Sequence, residues 1–211
     1  MELTEKNRAG DFILSMAPGT LSLENGILNS GQNLQAGTVL GELLTAGAAT
    51  AVGSPTGNGV ITVGAVGSDA VPGIYKLQCV AAATDAGTFN FYAPNGTLIR
   101  QITVGAGAIV TDHITITIAD GATDHAAGDT YTITVSGGDY EALDVAEDDG
   151  AQIAAGVLYA GVDATDADTA CVVLKRQAEV KADALVWPDG ITQGQKDAAI
   201  AQLNSRGIFL R

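Results

Sequence analysis

Residues 184–193, ALVWPDGITQ, contain the only tryptophan of the 211-residue chain and run directly into its best helix signal. Thr192 and Gln195 have the spacing of a capping box, in which each side chain pairs with an otherwise free backbone N–H at the start of a helix. Gly207 is placed to end the helix in the left-handed conformation. The apolar stripe between these signals consists of Ala199, Ile200 and Leu203. The sequence therefore predicts one short C-terminal helix.

Trp187 and Pro188 lie between the apolar segment ALVW and this helix. Proline has no backbone N–H and favours an extended conformation in the residue before it, so we expect a strand ALVW to end at Trp187. A single large aromatic side chain at such a junction usually anchors a core or an interface between subunits. Trp187 and Pro188 are therefore candidates for a core or subunit-interface anchor.

Strand-like patterns dominate the chain before this segment. Two apolar segments joined by an acidic turn occupy residues 151–180. Between residues 60 and 135, β-patterned segments recur at the spacing of a sandwich, namely VITVGAV, GIYKLQCVA, GTFNFYA, TLIRQITV, HITITIA and DTYTITV. The clusters GSPTGNG at 53–59 and SGGD at 136–139 interrupt the pattern on either side. We predict a mainly β protein in which residues 56–137 form an independent, Ig-like β-sandwich.

The charge of the chain excludes several classes of partner. Its formal net charge is −14, and thirteen Asp and Glu residues but no Lys or Arg lie between Arg100 and Lys175. Such a chain is repelled by nucleic acid and by anionic membrane surfaces, so we expect neither as a partner. No apolar run reaches the length of a membrane span, and we expect a soluble protein. Cys79 and Cys171 fall within apolar segments and are predicted to be buried thiols of a protein made in a reducing cytoplasm.

The titratable residues do not form an enzyme motif. The two histidines are His113, on the polar face of an alternating strand and predicted to be solvent-exposed, and His125. His125 is close in sequence to three carboxylates that could ligate a metal, but their spacing matches no calcium loop; they are Asp120, Asp124 and Asp129. Turns between strands are commonly rich in Asp and Gly. We therefore predict no catalytic residue, no metal site and no cofactor.

The C-terminal part of the chain resembles the head decoration proteins of lambda-type tailed bacteriophages. The similar stretches are DDGAQIAAGVLYAGVDATDADT at 148–169 and CVVLKRQAEVKADALVWPDG at 171–190, which includes an L-x-W-P signature. SGQNLQAGTVLGEL at 30–43 is similar to the N-terminal part of the family. Compact members lack a counterpart of residues 56–137, so this block is predicted to be an insertion. The decoration domain would then comprise residues 16–55 and 138–211, with one short helix.

The resemblance implies a structural protein and not an enzyme. Members of the family bind the major capsid protein on the outside of the expanded head, as homotrimers at three-fold positions, and stabilise the shell against DNA pressure. The implied location is the outer capsid surface of the virion, after assembly in the cytoplasm of the bacterial host. In this family an N-terminal arm docks on the capsid protein. If the chain forms such a trimer, Trp187 and Pro188 are candidates for a core or trimer anchor.

The N-terminal residues fit such an arm. Residues 1–9 are charged but neutral overall and lack periodicity, so we expect residues 1–15 to be a flexible arm. Phe12, Ile13 and Leu14 form a short β-prone strip that could add itself to the edge of a capsid sheet, and they are the candidate capsid contact. The alternative is that this strip is the first strand of the decoration domain.

A binding module is the alternative function. A β-sandwich displayed on a surface could recognise carbohydrate or a host cell surface, and the inserted block would then have a host-surface ligand. Of its aromatic residues, only Tyr92 is predicted to alternate outward. One exposed tyrosine is a small platform for a sugar, so capsid decoration is the favoured function.

Overall fold

The computed structural model describes residues 7–211, so residues 1–6 of the predicted arm lie outside the described residues. By its internal contacts the chain divides into two compact units. The first unit holds Gly138–Arg211 together with the chain up to Leu43, and the second holds Leu44–Gly137. The protein is mainly β with one C-terminal α-helix, which confirms the predicted fold class. In the part of the chain described, no helix is long and apolar enough to cross a membrane.

The strands and helices follow one another along the chain with these bounds: β1 (Ile13–Met16), β2 (Leu23–Leu28), β3 (Gln32–Leu34), β4 (Val39–Ala46), β5 (Thr50–Ala51), β6 (Ile61–Val66), β7 (Gly73–Ala83), β8 (Ala86–Tyr92), β9 (Leu98–Thr103), β10 (Ile114–Ile118), β11 (Thr130–Ala142), β12 (Ala154–Leu158), β13 (Val162–Ala164), β14 (Thr169–Leu174), β15 (Ala178–Val180), a 3-10 turn (Ala182–Ala184), α1 (Gln193–Ser205) and β16 (Ile208–Leu210).

The first unit is built from short strands. Strands β2, β14, β12 and β4 are neighbours in that order, and the end of β11 pairs in parallel with β2, with Tyr140 opposite Leu28. A separate three-stranded sheet has the order β1-β15-β16, and β3 pairs with β13. Apolar side chains from these strands and from α1 form two buried clusters. Because each strand is short, the core of the first unit is formed by side chains from many segments.

Helix α1 has the predicted signals at both ends. The hydroxyl of Thr192 accepts the backbone N–H of Gln195 at 3.3 Å, and the backbone N–H of Thr192 donates to the Gln195 side chain at 2.9 Å. Ala199 and Leu203 are buried, and Gly207 has a φ of +78° directly after the helix. The capping box and the left-handed terminator are therefore confirmed.

The segment ALVW is not a strand, which corrects the prediction. Residues 182–184 form a 3-10 turn, and only Val186 pairs with another segment, through an isolated parallel bridge to Thr38. The Val186 N–H donates to the Gly37 carbonyl at 2.9 Å. Ala-Asp-Ala lacks the β-branched residues that favour strands, so the chain becomes extended only at Leu185.

Strand β2 was not predicted from the sequence, and its Asn25-Gly26 pair is more typical of a tight turn than of a strand interior. In the structure Gly26 lies in the middle of the strand, against the ring of Tyr140. A Cβ atom at Gly26 would lie 2.4 Å from Cε2 of Tyr140, so only glycine fits there. Tyr140 is itself held by Lys175, which donates to its hydroxyl and lies 2.7 Å from Glu42. Burial raises the pKa of the Tyr140 hydroxyl.

The second unit is a sandwich. One layer has the strand order β5-β11-β7-β8-β9, and the other consists of β6 and β10. The six predicted strands of this block are all present. Its core takes alternate residues from both layers, as Tyr75, Leu77 and Cys79 of β7 and Ile114 and Ile116 of β10 illustrate. Cys79 and Cys171 are both buried free thiols, as predicted.

The second unit begins earlier than the sequence suggested. The breaker cluster predicted a boundary before residue 56, whereas the structure assigns residues 44–55 to the second unit. Leu44, Ala46 and Ala49 pack against its core, and Thr50 pairs with Thr132 of β11. The glycines and proline at 53–59 interrupt the strand pattern but lie inside the unit.

The two ends of the second unit are neighbours. Inside that unit, the Gly47 N–H donates to the Thr134 carbonyl at 2.8 Å. In the first unit, the Leu143 N–H donates to the Val39 carbonyl at 2.9 Å. The chain therefore enters and leaves the second unit on adjacent antiparallel strands, β4 and β11, which is the arrangement that tolerates insertion of a domain.

Asp129 ties together two loops of the second unit. Its carboxylate accepts the backbone N–H groups of Thr56 and Gly57 at 2.9 Å and that of Ala126 at 3.0 Å. Burial alone would raise the pKa of Asp129, but these N–H groups hold it below its ordinary value. The ring of His125 lies beside it, with Nδ1 3.5 Å from the carboxylate. Asp129 therefore has a structural role in this turn.

We predict that Asp129→Ala lowers the free energy of unfolding by about 2 kcal/mol or more, because it leaves three backbone donors without their acceptor. Urea denaturation monitored by circular dichroism measures this loss. Asp69→Ala, which removes an exposed carboxylate of the same unit, is the control. Since the folded-state pKa of Asp129 is depressed, its contribution is present above the ordinary value and is lost as the pH falls through the folded-state value. A loss that is equal in both variants, or that grows in acid, would contradict this role.

We predict that the second unit can be removed. A shortened chain that joins Leu43 to Gly138 through a short Gly-Ser linker should unfold cooperatively and keep α1, because the clusters of the first unit take no residue from the deleted part. A chain that joins Pro55 to Gly138 should aggregate more, because it keeps Leu44 and Ala46 without the core that covers them. Circular dichroism and thermal unfolding of both chains measure the difference. A Leu43–Gly138 chain that fails to fold would show that the first unit depends on the second.

Candidate functional site

The described part of the predicted arm is packed onto the first unit. Asn7 donates from its side-chain amide to the carbonyls of Ala36 and Ala184, at 3.2 and 3.0 Å. The Gly10 N–H donates to the Tyr159 carbonyl at 2.9 Å. The prediction that residues up to 15 form a flexible arm is therefore wrong for residues 7–15. These hydrogen bonds, which sequence periodicity does not reveal, fix the segment in place.

The three candidate contact residues have different environments. Phe12 is fully buried in one cluster with Leu203 and Ile208, and Ile13 packs against the same cluster. Leu14 is 50% exposed. Phe12 is thus a core residue, and the alternative reading of this strip as the first strand describes its position here. Of the three residues, Leu14 offers the largest exposed surface to a partner.

Strand β1 is an edge strand. Among the described strands it pairs only with β15, antiparallel, with Ile13 opposite Val180 and Met16 opposite Ala178. The register shifts between Ile13 and Ser15, which places Leu14 in an irregularity of the ladder. An edge strand presents unpaired N–H and C=O groups to which a strand of another protein can add.

Exposed apolar side chains lie on β1 and on β16, the two strands that flank β15. Met16 is 43% exposed, and Phe209 of β16 is 44% exposed; both line one shallow depression. Sequence analysis did not single out either residue. Alternation in the segment IFLR could have predicted that Phe209 is exposed, because its neighbour Ile208 is buried. Leu14, Met16 and Phe209 are called the edge patch below.

A polar network borders the edge patch. Glu179 of β15 accepts a hydrogen bond from the Ser15 hydroxyl at 2.9 Å and from the Arg211 guanidinium at 2.8 and 3.0 Å. The hydrogen bonds from Arg211 hold the pKa of Glu179 below its ordinary value. The Arg211 guanidinium also lies 5.8 Å from the centre of the Phe209 ring. The network orients these side chains around the apolar surface.

The predicted anchor, Trp187, is half-buried against the core cluster that contains Leu203. Its indole nitrogen is buried and has no hydrogen-bond partner in the described chain. The Lys196 ammonium lies 5.1 Å from its ring centre. Trp187 and Pro188 line a cavity of about 410 Å³, with Asp189 beside them. The indole therefore contributes to the core and also faces an open cavity.

The histidines and the acidic residues considered as metal ligands do not form one cluster. His113 is not simply solvent-exposed, as had been expected, because its Nδ1 lies 3.2 Å from the hydroxyl of buried Tyr75. His125 is buried between aromatic rings, 5.0 Å from that of Phe89. Asp120 and Asp124 come together with Asp85, whereas His125 and Asp129 are not part of this group. The structure thus separates the residues that the sequence offered as one metal-ligand set.

Two crystal structures of Xanthomonas campestris FlgL are similar to part of the chain. The first, in space group H3, has 22% identity and a TM-score of 0.32, and the match covers 50% of this chain and 33% of that one. The second, in space group C2, has 19% identity and a TM-score of 0.33, with 53% and 33% covered. Both TM-scores are below 0.5, so neither structure informs the fold or function. No curated protein matches the chain.

The family comparison covers nearly the whole sequence. The sequence model of the bacteriophage lambda head decoration protein D matches residues 2–208. This range includes the whole second unit, β1 and β15, and it ends at Ile208, the first residue of β16. That family consists of structural capsid proteins and is not an enzyme family. The chain therefore belongs to the family of the bacteriophage lambda head decoration protein D.

Proposed function

We propose that this phage head decoration protein binds the outside of the expanded capsid as a homotrimer at three-fold positions and stabilises the shell against DNA pressure. The observation that carries the proposal is the edge patch, which combines an unpaired strand edge with exposed apolar side chains. We also propose that the protein reaches this site after assembly in the host cytoplasm.

Docking through β1 has a simple physical basis. A strand of the major capsid protein that added to the free edge of β1 would gain backbone hydrogen bonds, and pockets for alternate side chains would give specificity. The edge patch would supply apolar burial at about 25 cal/mol per Å². Phe12 and Ile13 would contribute indirectly, because their packing holds β1 in place.

Trimer formation would use the cavity beside Trp187. The indole and Pro188 offer an apolar surface next to a concave space of about 410 Å³, into which a second copy could insert side chains. Aromatic residues that line such depressions are frequent anchors of subunit interfaces. The buried indole N–H has no hydrogen-bond partner in the described chain, which costs stability. A neighbouring subunit that changed the conformation of this region could supply an acceptor for it.

The first test concerns docking. Leu14→Ser combined with Met16→Ser should weaken capsid binding about tenfold or more, because each change removes roughly 1 kcal/mol or more of apolar burial at the contact. Ile74→Ser, at a position that is 60% exposed in the second unit, is the matched control and should bind normally. Co-sedimentation with expanded capsids measures binding, and thermal unfolding verifies the fold. Unchanged binding of the double variant, or an equal loss in the control, would exclude the edge patch.

The second test concerns association. We expect the free protein to sediment as a trimer at micromolar concentration. Asp189→Arg should shift it toward monomer, because Asp189 is exposed at the cavity and a reversed charge there would be buried between subunits. Asp183→Arg makes the same change in charge at an exposed position that does not line the cavity. A parent protein that is monomeric would refute the trimer, and equal behaviour of both variants would exclude the Trp187 cavity as its interface.

A further inference from the structure

The second unit contains a polar cleft that capsid docking through β1 does not use. Its volume is about 500 Å³, within the range of small-ligand sites. The turn that joins β8 to β9, the segment before β10 and the loop around Asp69 all contribute to its walls. Loops that meet at one end of a sandwich commonly carry binding sites. The polar side chains that line it include Asp69, Asn95, Thr97, Arg100, Asp112 and His113.

Arg100 is placed unusually for a charged residue. It lies on the edge strand β9 two positions before Ile102, which is buried in the core, so by alternation its side chain leaves the strand on the core-facing side. Arg100 is nevertheless exposed, because it lines the cleft. Its guanidinium forms no ion pair within the described part of the chain. Lys76 is the other cation of this unit.

His113 is held in one orientation by a buried tyrosine. The Tyr75 hydroxyl accepts the Val71 N–H at 3.0 Å and lies 3.2 Å from His113 Nδ1. Because the tyrosine oxygen already accepts a hydrogen bond from Val71, its own hydrogen is available to Nδ1. When the hydroxyl donates to Nδ1, the neutral imidazole carries its proton on Nε2. In that tautomer His113 offers an N–H donor at the wall of the cleft.

The acidic side chains supply acceptors. Asp69 and Asp112 line the cleft, and the Asp69 backbone N–H donates to the Asp112 carbonyl at 2.6 Å, which joins their two loops. Neither carboxylate forms an ion pair with any described cation. The cleft thus combines a planar bidentate donor, an oriented imidazole and two carboxylate acceptors on a unit with few cations.

We propose that this cleft binds a sugar residue that carries a carboxylate, such as a sialic or uronic acid. Arg100 matches a carboxylate through two parallel hydrogen bonds. Asp69 and Asp112 would accept hydrogen bonds from neighbouring sugar hydroxyls, and His113 would donate one. A phosphate group fits less well, because its greater negative charge would be repelled more strongly by Asp69 and Asp112 than the single charge of a carboxylate. A neutral sugar would leave the guanidinium without its anionic partner.

The alternative role for Arg100 is protection of the edge of the sheet. Inward-pointing charges on edge strands also prevent sheets from joining edge to edge. If this were the only role of Arg100, its removal would promote association of the protein and the cleft would bind no sugar. Ligand binding and edge protection therefore predict different results for the same variant.

The experiment is titration of the full-length protein with N-acetylneuraminic acid, galacturonic acid and galactose, followed by NMR chemical-shift changes. We expect saturable binding of at least one acidic sugar and at least tenfold weaker binding of galactose. Arg100→Gln should weaken acidic-sugar binding at least tenfold, and Arg100→Lys should weaken it by less. Lys76→Gln, which removes the same charge outside the cleft, should bind as the parent protein does.

Circular dichroism verifies that each variant is folded. The absence of saturable binding by the parent protein would overturn the proposal, as would equal affinity for galactose. It would also be overturned if Arg100→Gln bound normally, or if Lys76→Gln lost binding to the same extent. The result is independent of capsid docking, because the cleft and the edge patch share no residue.

Discussion

Strand β15 holds both ends of the described chain, and the rest of the first unit depends on this arrangement. β1 pairs with it in antiparallel and β16 in parallel, while the Lys181 N–H donates to the Phe12 carbonyl at 2.8 Å. Beneath these strands Phe12 packs in one cluster with Leu203 of α1 and Ile208 of β16. The burial of Phe12 adds to these backbone pairings in holding β1 on the sheet, and it thereby helps to maintain the edge patch. The proposed docking function is thus a consequence of core packing.

The connections of the second unit are those that the predicted insertion would require. The chain enters and leaves this unit on hydrogen-bonded neighbouring strands. Within the second unit, Asp129 organises the loops with its carboxylate, and the sandwich has a core of its own. Because the second unit has its own core, it can carry a ligand-binding site. The cleft around Arg100, where polar side chains meet, is the proposed site.

Local signals made much of the fold predictable from the sequence. The helix followed from Thr192, Gln195 and Gly207, because capping depends on residues that are close in sequence. The strands of the sandwich followed from alternation. The failures involve tertiary partners: Gly26 belongs to a strand because Tyr140 occupies the space beside it, and Phe12 is buried because α1 and β16 cover it. The site was predicted only in part, since Leu14 was identified but Met16, Phe209 and the anchoring of His113 by Tyr75 depend on pairings that one sequence does not reveal.

We propose above that the edge of β1 faces the capsid protein. Cryo-electron microscopy of expanded capsids decorated with the full-length protein tests it most directly. Docking through this edge predicts density for a capsid strand alongside β1, with Leu14 and Met16 at the contact. Density that joins the protein to the shell through other strands, with the edge of β1 exposed to solvent, would contradict it.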